Sequence, residues 1–200
     1  TKMLRSKWRE GFEEKIASLD RKETWTLTPD PDITLKDLGP EWRCCRITTF
    51  AKFKCSECSN SWGSAQVLIL FHMTLDRRQG RGRVKVRFFK QQCRRCEDTR
   101  FVNPEFLAPN IDVILDKLVS QIRKKCYREN LGENQSPFIM DEELEGPHES
   151  AHCEACKEGV CEHRQDLVPR PTSAVYRQDP ESIILLVVVV VIILWVLIIS

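Results

Sequence analysis

Two hydrophobic periods alternate along this chain. Trp8, Phe12, Ile16 and Leu19 recur every three to four residues, with Arg9, Glu13, Glu14 and Lys15 between them. This is the mark of an amphipathic helix, expected to pack on the body of the protein. Thr24 to Asp37 is rich in acids and proline and reads as a loop or an edge strand. From Arg46 the period becomes two, with Ile47, Thr49, Ala51 and Phe53 on one side and Lys52 and Lys54 on the other. Ser64 to Leu75 is apolar enough for a central strand. In the Arg83–Phe89 segment Val84, Val86 and Phe88 alternate with Lys85 and Arg87. Gly80 and Gly82 fall between these last two strands and predict a turn. A helical period returns after Asn110, a candidate cap: Ile111, Ile114, Leu115, Leu118, Val119 and Ile122 form one stripe, ending near Arg123-Lys124-Lys125.

One further run follows no period. Ile183 to Ile199 carries no charged or polar side chain. At 1.5 Å per residue it would cover about 25 Å, close to the hydrocarbon thickness of a bilayer. It is too long for a buried strand. Only Ser200 follows it, and Arg164, Arg170 and Arg177 lie before it, so it is expected to insert last and leave the preceding domain in the cytosol. The chain opens without a signal-peptide pattern.

That cytosolic placement changes the meaning of the ten cysteines, because disulfides are rare there. Their spacing supplies another role. Cys55-Ser56-Glu57-Cys58 and Cys93-Arg94-Arg95-Cys96 each bring two thiolates onto one point, and together they complete a tetrahedral zinc site. Cys153-Glu154-Ala155-Cys156 and Cys161 supply three more sulfurs, with His148, His152 and His163 as candidate fourth ligands. Four protein ligands leave no open position, so both zinc ions are expected to be structural. Cys44, Cys45 and Cys126 are left over and read as free thiols. His72, within a strand, reads as a packed histidine and not a ligand.

The formal net charge of +2 conceals a local excess. Between Arg77 and Arg100 ten Lys or Arg face only Glu97 and Asp98. Arg77, Arg78, Arg81, Arg83, Lys85, Arg87, Lys90, Arg94 and Arg95 form a candidate patch for RNA or an acidic partner. No Gly-rich phosphate loop, H-E-x-x-H or G-x-S-x-G motif occurs, so no enzyme chemistry is expected.

The expected architecture is α+β: a zinc-ribbon-like antiparallel sheet with flanking helices, plus a C-terminal single transmembrane helix. Residues 1–45 form an N-terminal helix and loop packed on the zinc domain, 46–164 the three-C-x-x-C domain, 165–182 a flexible tether and 183–199 the anchor.

Several segments carry a family likeness. They are Phe53-Lys54-Cys55-Ser56-Glu57-Cys58, Ser61-Trp62-Gly63-Ser64-Ala65-Gln66-Val67, Gln92-Cys93-Arg94-Arg95-Cys96, and Gly146-Pro147-His148 ahead of Cys153-Glu154-Ala155-Cys156. Together they resemble the receptor-transporting protein family over nearly the whole chain, most like its short, interferon-linked opioid-receptor chaperone branch. The resemblance implies a tail-anchored chaperone or adaptor for G-protein-coupled receptors of odorant, taste or opioid type. It implies passage from endoplasmic reticulum and Golgi to the plasma membrane. It also implies an alternative, antiviral RNA binding through the zinc finger, compatible with the first. By the same resemblance zinc falls to Cys55, Cys58, Cys93 and Cys96, and to Cys153, Cys156 and Cys161 with His148 favoured over His163.

Overall fold

The computed structural model describes residues 2–36, 38–96, 100–131 and 148–161. The apolar run 183–199 and the tether 165–182 lie outside the described residues. Among the described residues no helix is long and apolar enough to cross a membrane.

The elements in chain order are helix α1 (Lys2–Ala17), strands β1 (Thr24–Pro29), β2 (Arg43–Lys54), β3 (Ser61–Asp76) and β4 (Arg81–Phe88), helix α2 (Ala108–Ile122) and a short helix α3 (Glu154–Lys157). The four strands form one sheet in the order β1-β4-β3-β2. β3 is central, pairing antiparallel with β2 on one side and β4 on the other. This placement explains its unbroken apolar run, because both of its faces are covered.

One face holds the larger core. Val67, Ile69, Phe71 and Met73 of β3 meet Trp8 and Phe12 of α1 and the Ile111, Ile114, Leu115, Leu118 and Ile122 stripe of α2. Phe12 is fully buried. Lys15 joins the two helices by ion pairs of 2.9 Å to Asp112 and 2.7 Å to Asp116. The opposite face is smaller. Leu68, Leu70 and Phe89 pack against Ile33 and against Cys153, Ala155, Cys156 and Cys161. The third cysteine module is therefore the lid of the second sheet face.

Four sequence expectations change. The sheet is not wholly antiparallel: β1 lies parallel to β4, with Thr24 beside Arg81 and Pro29 beside Val86. This register puts Trp25 and Leu27 into the core on the helix side. Gly82 lies inside β4 and not in the turn, because the Trp25 ring crosses directly over it. Leu19 lies beyond the end of α1, which stops at Ala17. Asn110 does not cap α2: the helix begins at Ala108 after Leu107, with Pro109 in its first turn. The Asn110 amide instead donates to the Phe50 carbonyl at 3.2 Å, satisfying a group on the β2 edge. After Ile122 the helix continues as a π-helical turn, Arg123–Tyr127, closed by Arg128 at φ 60°.

A methyl group at Gly82 would stand 2.1 Å from the Trp25 ring. Gly82→Ala is expected to displace that ring and lower stability by about 1–3 kcal/mol, read as a fall in the thermal midpoint.

Candidate metal centres

The first knuckle occupies the β2–β3 connection and the second follows β4, so the sheet itself brings them together. Within the first, the Cys55 N–H donates to the Asn60 carbonyl at 2.8 Å, and Ser59 turns the chain at φ 54°. The Glu57 N–H points at the Cys55 sulfur at 3.4 Å. The second knuckle repeats this device, the Arg95 N–H lying 3.4 Å from the Cys93 sulfur. Such bonds stabilise sulfur as thiolate. Cys55, Cys58, Cys93 and Cys96 converge, all four sulfurs within 4.8 Å of one another. The Cys55–Cys96 and Cys58–Cys93 separations are 4.0 and 3.7 Å. Tetrahedral zinc with ~2.3 Å bonds to sulfur requires an edge of roughly 3.8 Å. The geometry fits zinc.

The second site gathers His148, Cys153, Cys156 and Cys161 with the same mutual limit of 4.8 Å. His148 Nε2 lies 3.0 Å from the Cys156 sulfur and 3.6 Å from that of Cys161. His152 goes elsewhere, closing a 3-10 turn (Ser150–His152) beside a cleft with Trp62, Gln91, Arg94 and Glu149. His163 lies outside the described residues. The module is stitched to the chain after β4 by main-chain bonds: Gln92 N–H to the His152 carbonyl at 2.8 Å and Glu154 N–H to the Lys90 carbonyl at 3.1 Å. Both sites fit structural zinc, each offering four protein ligands with no open position.

The sulfurs' own electrostatics agree with a cation between them. Burial raises the Cys93 thiol, but hydrogen bonds from the Arg95 N–H, Cys58 and Asn60 outweigh it and bring it down to about 7. The adjacent Cys58 sulfur, and then burial, push Cys96 up to about 12. Burial, with Cys153 and Cys161 close by, pushes Cys156 strongly upward. Four neighbouring thiols cannot all ionise unaided. Zinc binding supplies the missing charge and releases their protons.

The leftover thiols behave as inert packing. Burial pushes both Cys45 and Cys126 up to about 11, and Cys44 in the same direction. Trp62 stacks on Phe53 at 5.4 Å and donates to the Gln91 side chain at 2.9 Å. Sequence reasoning passed over Asn60, whose amide reaches the Cys93 sulfur at 3.6 Å. No spacing rule singles out that residue.

The basic patch is engaged only in part within the fold. Arg83, Lys85 and Arg87 do share a face, which is exposed at Arg83, half-covered at Lys85 and buried at Arg87. Arg87 is 8% exposed, pairs with Glu154 at 3.0 Å and with Glu158, and lies over the Phe89 ring. It is therefore corrected from surface contact to internal clamp, because the third cysteine module lands on this face with its own carboxylates. Lys85 pairs with Asp30 at 2.9 Å, and Arg94 with Glu149 at 3.2 Å. Arg77 donates to the Cys126 carbonyl at 3.0 Å. Arg77, Arg78, Arg81, Arg83, Arg94 and Arg95 remain exposed, and Lys85 and Lys90 are half-buried.

Comparison with known proteins agrees with this geometry. Residues 48–159 match the three-C-x-x-C zinc-ribbon family, described as a zinc-binding domain. Receptor-transporting protein 3 of Mus musculus is 41% identical over 155 residues, 77% of this chain and 33% of that protein. Receptor-transporting protein 4 of Homo sapiens is 37% identical over 155 residues, 77% of this chain and 63% of that protein. Receptor-transporting protein 2 of Mus musculus is 36% identical over 161 residues, 80% of this chain and 72% of that protein. The chain thus spans from a third to under three quarters of these relatives. The matches are spread over several members and not centred on one. No solved structure matches the chain.

Proposed function

The chain belongs to the receptor-transporting protein family, and from that membership we propose a zinc-organised, tail-anchored chaperone or adaptor that promotes folding, export and surface expression of G-protein-coupled receptors. The carrying observation is the likeness to receptor-transporting proteins, together with a zinc-binding domain match over residues 48–159 and two convergent four-ligand clusters. The relatives are receptor-transport factors, so the reading is non-enzymatic. On this proposal residues 183–199 span the membrane once, the zinc domain faces the cytosol, and the protein travels between endoplasmic reticulum, Golgi and plasma membrane. Tethering raises the effective concentration of the domain around newly made membrane clients. The alternative of RNA binding loses Arg87, which is buried against Glu154, and is supported by no relative named above.

Co-expression with a retention-prone receptor is expected to raise its surface level, measured by antibody on intact cells. Deleting residues 183–200 is expected to remove most of that rise. Full support from the deleted chain would contradict the tethering.

A further inference from the structure

We propose that the cleft between the loop after β1 and the face of the paired strands β3 and β4 binds the guanidinium of an arginine carried by a client segment. Asp30, Asp32, Glu41, Trp42, His72 and Lys85 line a cleft of about 330 Å³. That is room for one long side chain.

The chemistry at its base is distinctive. His72 is 4% exposed, and its Nε2 has no hydrogen-bond partner among the described residues. Burial holds this imidazole below its usual pKa, so it is neutral, and its other nitrogen bonds to the Thr34 backbone. A neutral ring that donates through Nδ1 presents Nε2 as an acceptor. A buried acceptor without a partner, on a residue of the cleft wall, is uncommon and calls for a donor that the described residues do not supply.

The rim has the matching character. Asp32 and Glu41 are exposed, and neither carboxylate forms an ion pair among the described residues. Asp30 is occupied by Lys85. Trp42 already carries Arg83 and Lys85 over its ring, each 5.3 Å from the centroid, so the indole is a surface that cations occupy. The open positions are therefore all acceptors. A guanidinium offers five donors in a planar fork and can reach an imidazole nitrogen and a carboxylate together; an ammonium cannot do so with the same geometry. A metal ion fits less well, since the ligand clusters that converge among the described residues are the two zinc centres alone.

The occupant rests on the function proposed above. Cytosolic loops of membrane proteins are enriched in Lys and Arg. A domain facing those loops meets arginine side chains among these basic residues.

The test uses the zinc-loaded full chain in detergent micelles, with labelled histidine followed by NMR and N-acetyl-arginine amide as probe. A saturable shift of the His72 signal is expected, with the His148 signal unmoved. N-acetyl-lysine amide should shift it less, and N-acetyl-citrulline amide, which keeps the shape without the charge, not at all. Asp32→Asn and Glu41→Gln, both at exposed positions, should each weaken binding roughly tenfold. Absence of an arginine-dependent shift, an equal response to lysine or citrulline amide, or a response to N-acetyl-glutamate instead would overturn the proposal. The readout is binding and not trafficking. A negative result leaves the trafficking role standing, and arginine binding without any effect on receptor display would remove that role alone.

Discussion

Stripping zinc from the folded chain is expected to unfold its sheet, with loss of the near-ultraviolet tryptophan signal and of cooperative melting. The first centre joins the β2–β3 connection to the segment after β4. Without it four sulfurs, two of them buried, face one another with nothing to hold them. The second centre organises the module that covers Leu68, Leu70 and Phe89. Structural zinc contributes roughly 10–16 kcal/mol of apparent free energy in small domains. A domain's whole net stability is about 5–15 kcal/mol. Metal removal therefore outweighs any single side-chain loss. The two centres should differ in reach. Cys93→Ala is expected to disrupt the whole sheet. Cys156→Ala should free the second face while the helix-covered core persists, so a dye that reports exposed apolar surface should bind the second variant without loss of helical signal.

Among changes away from the metal ligands, Arg87→Ala has the largest expected cost. Arg87 holds Glu154, which lies between the two cysteines of the third C-x-x-C pair, and Glu158 just beyond it. Glu154 also accepts the Lys90 N–H at 2.7 Å. Truncating the arginine would leave the half-buried Glu154 carboxylate without its cation, while the exposed Glu158 keeps its water. Breaking a buried pair this way costs about 3–5 kcal/mol. For a domain of this size that corresponds to a fall of roughly 10 °C in the thermal midpoint. Arg87→Met combined with Glu154→Gln and Glu158→Gln should recover most of it, because the desolvated charges go together. A single variant that melts like the native chain would show that the module docks by apolar contact alone.

These two expectations differ in how visible they were in the sequence. The C-x-x-C spacing announced the first centre, because a tetrahedral thiolate site depends on local turns that the spacing itself encodes. The α2 stripe and the central strand were legible for a similar reason: each is a local period answering to a covered face. His148 was legible only as one of several imidazoles, since spacing leaves the fourth ligand to the fold. The alternation of Arg83, Lys85 and Arg87 with Val84 and Val86 was read correctly as two faces. Which face met solvent was not encoded there. That was decided by a module some seventy residues later, 154 against 87, whose acids supply the counter-charge. The parallel pairing of β1 with β4 was hidden likewise, because it depends on Trp25 crossing Gly82 across a long loop. Local period reports burial; it does not report the partner that buries.

Receptor transport is expected to depend on the folded two-zinc domain. The most direct measurement is surface display of a retention-prone G-protein-coupled receptor, with equal expression of the native chain, Cys93→Ala and Cys156→Ala. The account predicts a rise with the native chain, its loss with Cys93→Ala, and a marked reduction with Cys156→Ala. A rise of equal size with all three would contradict it, because receptor transport would then proceed without either metal centre.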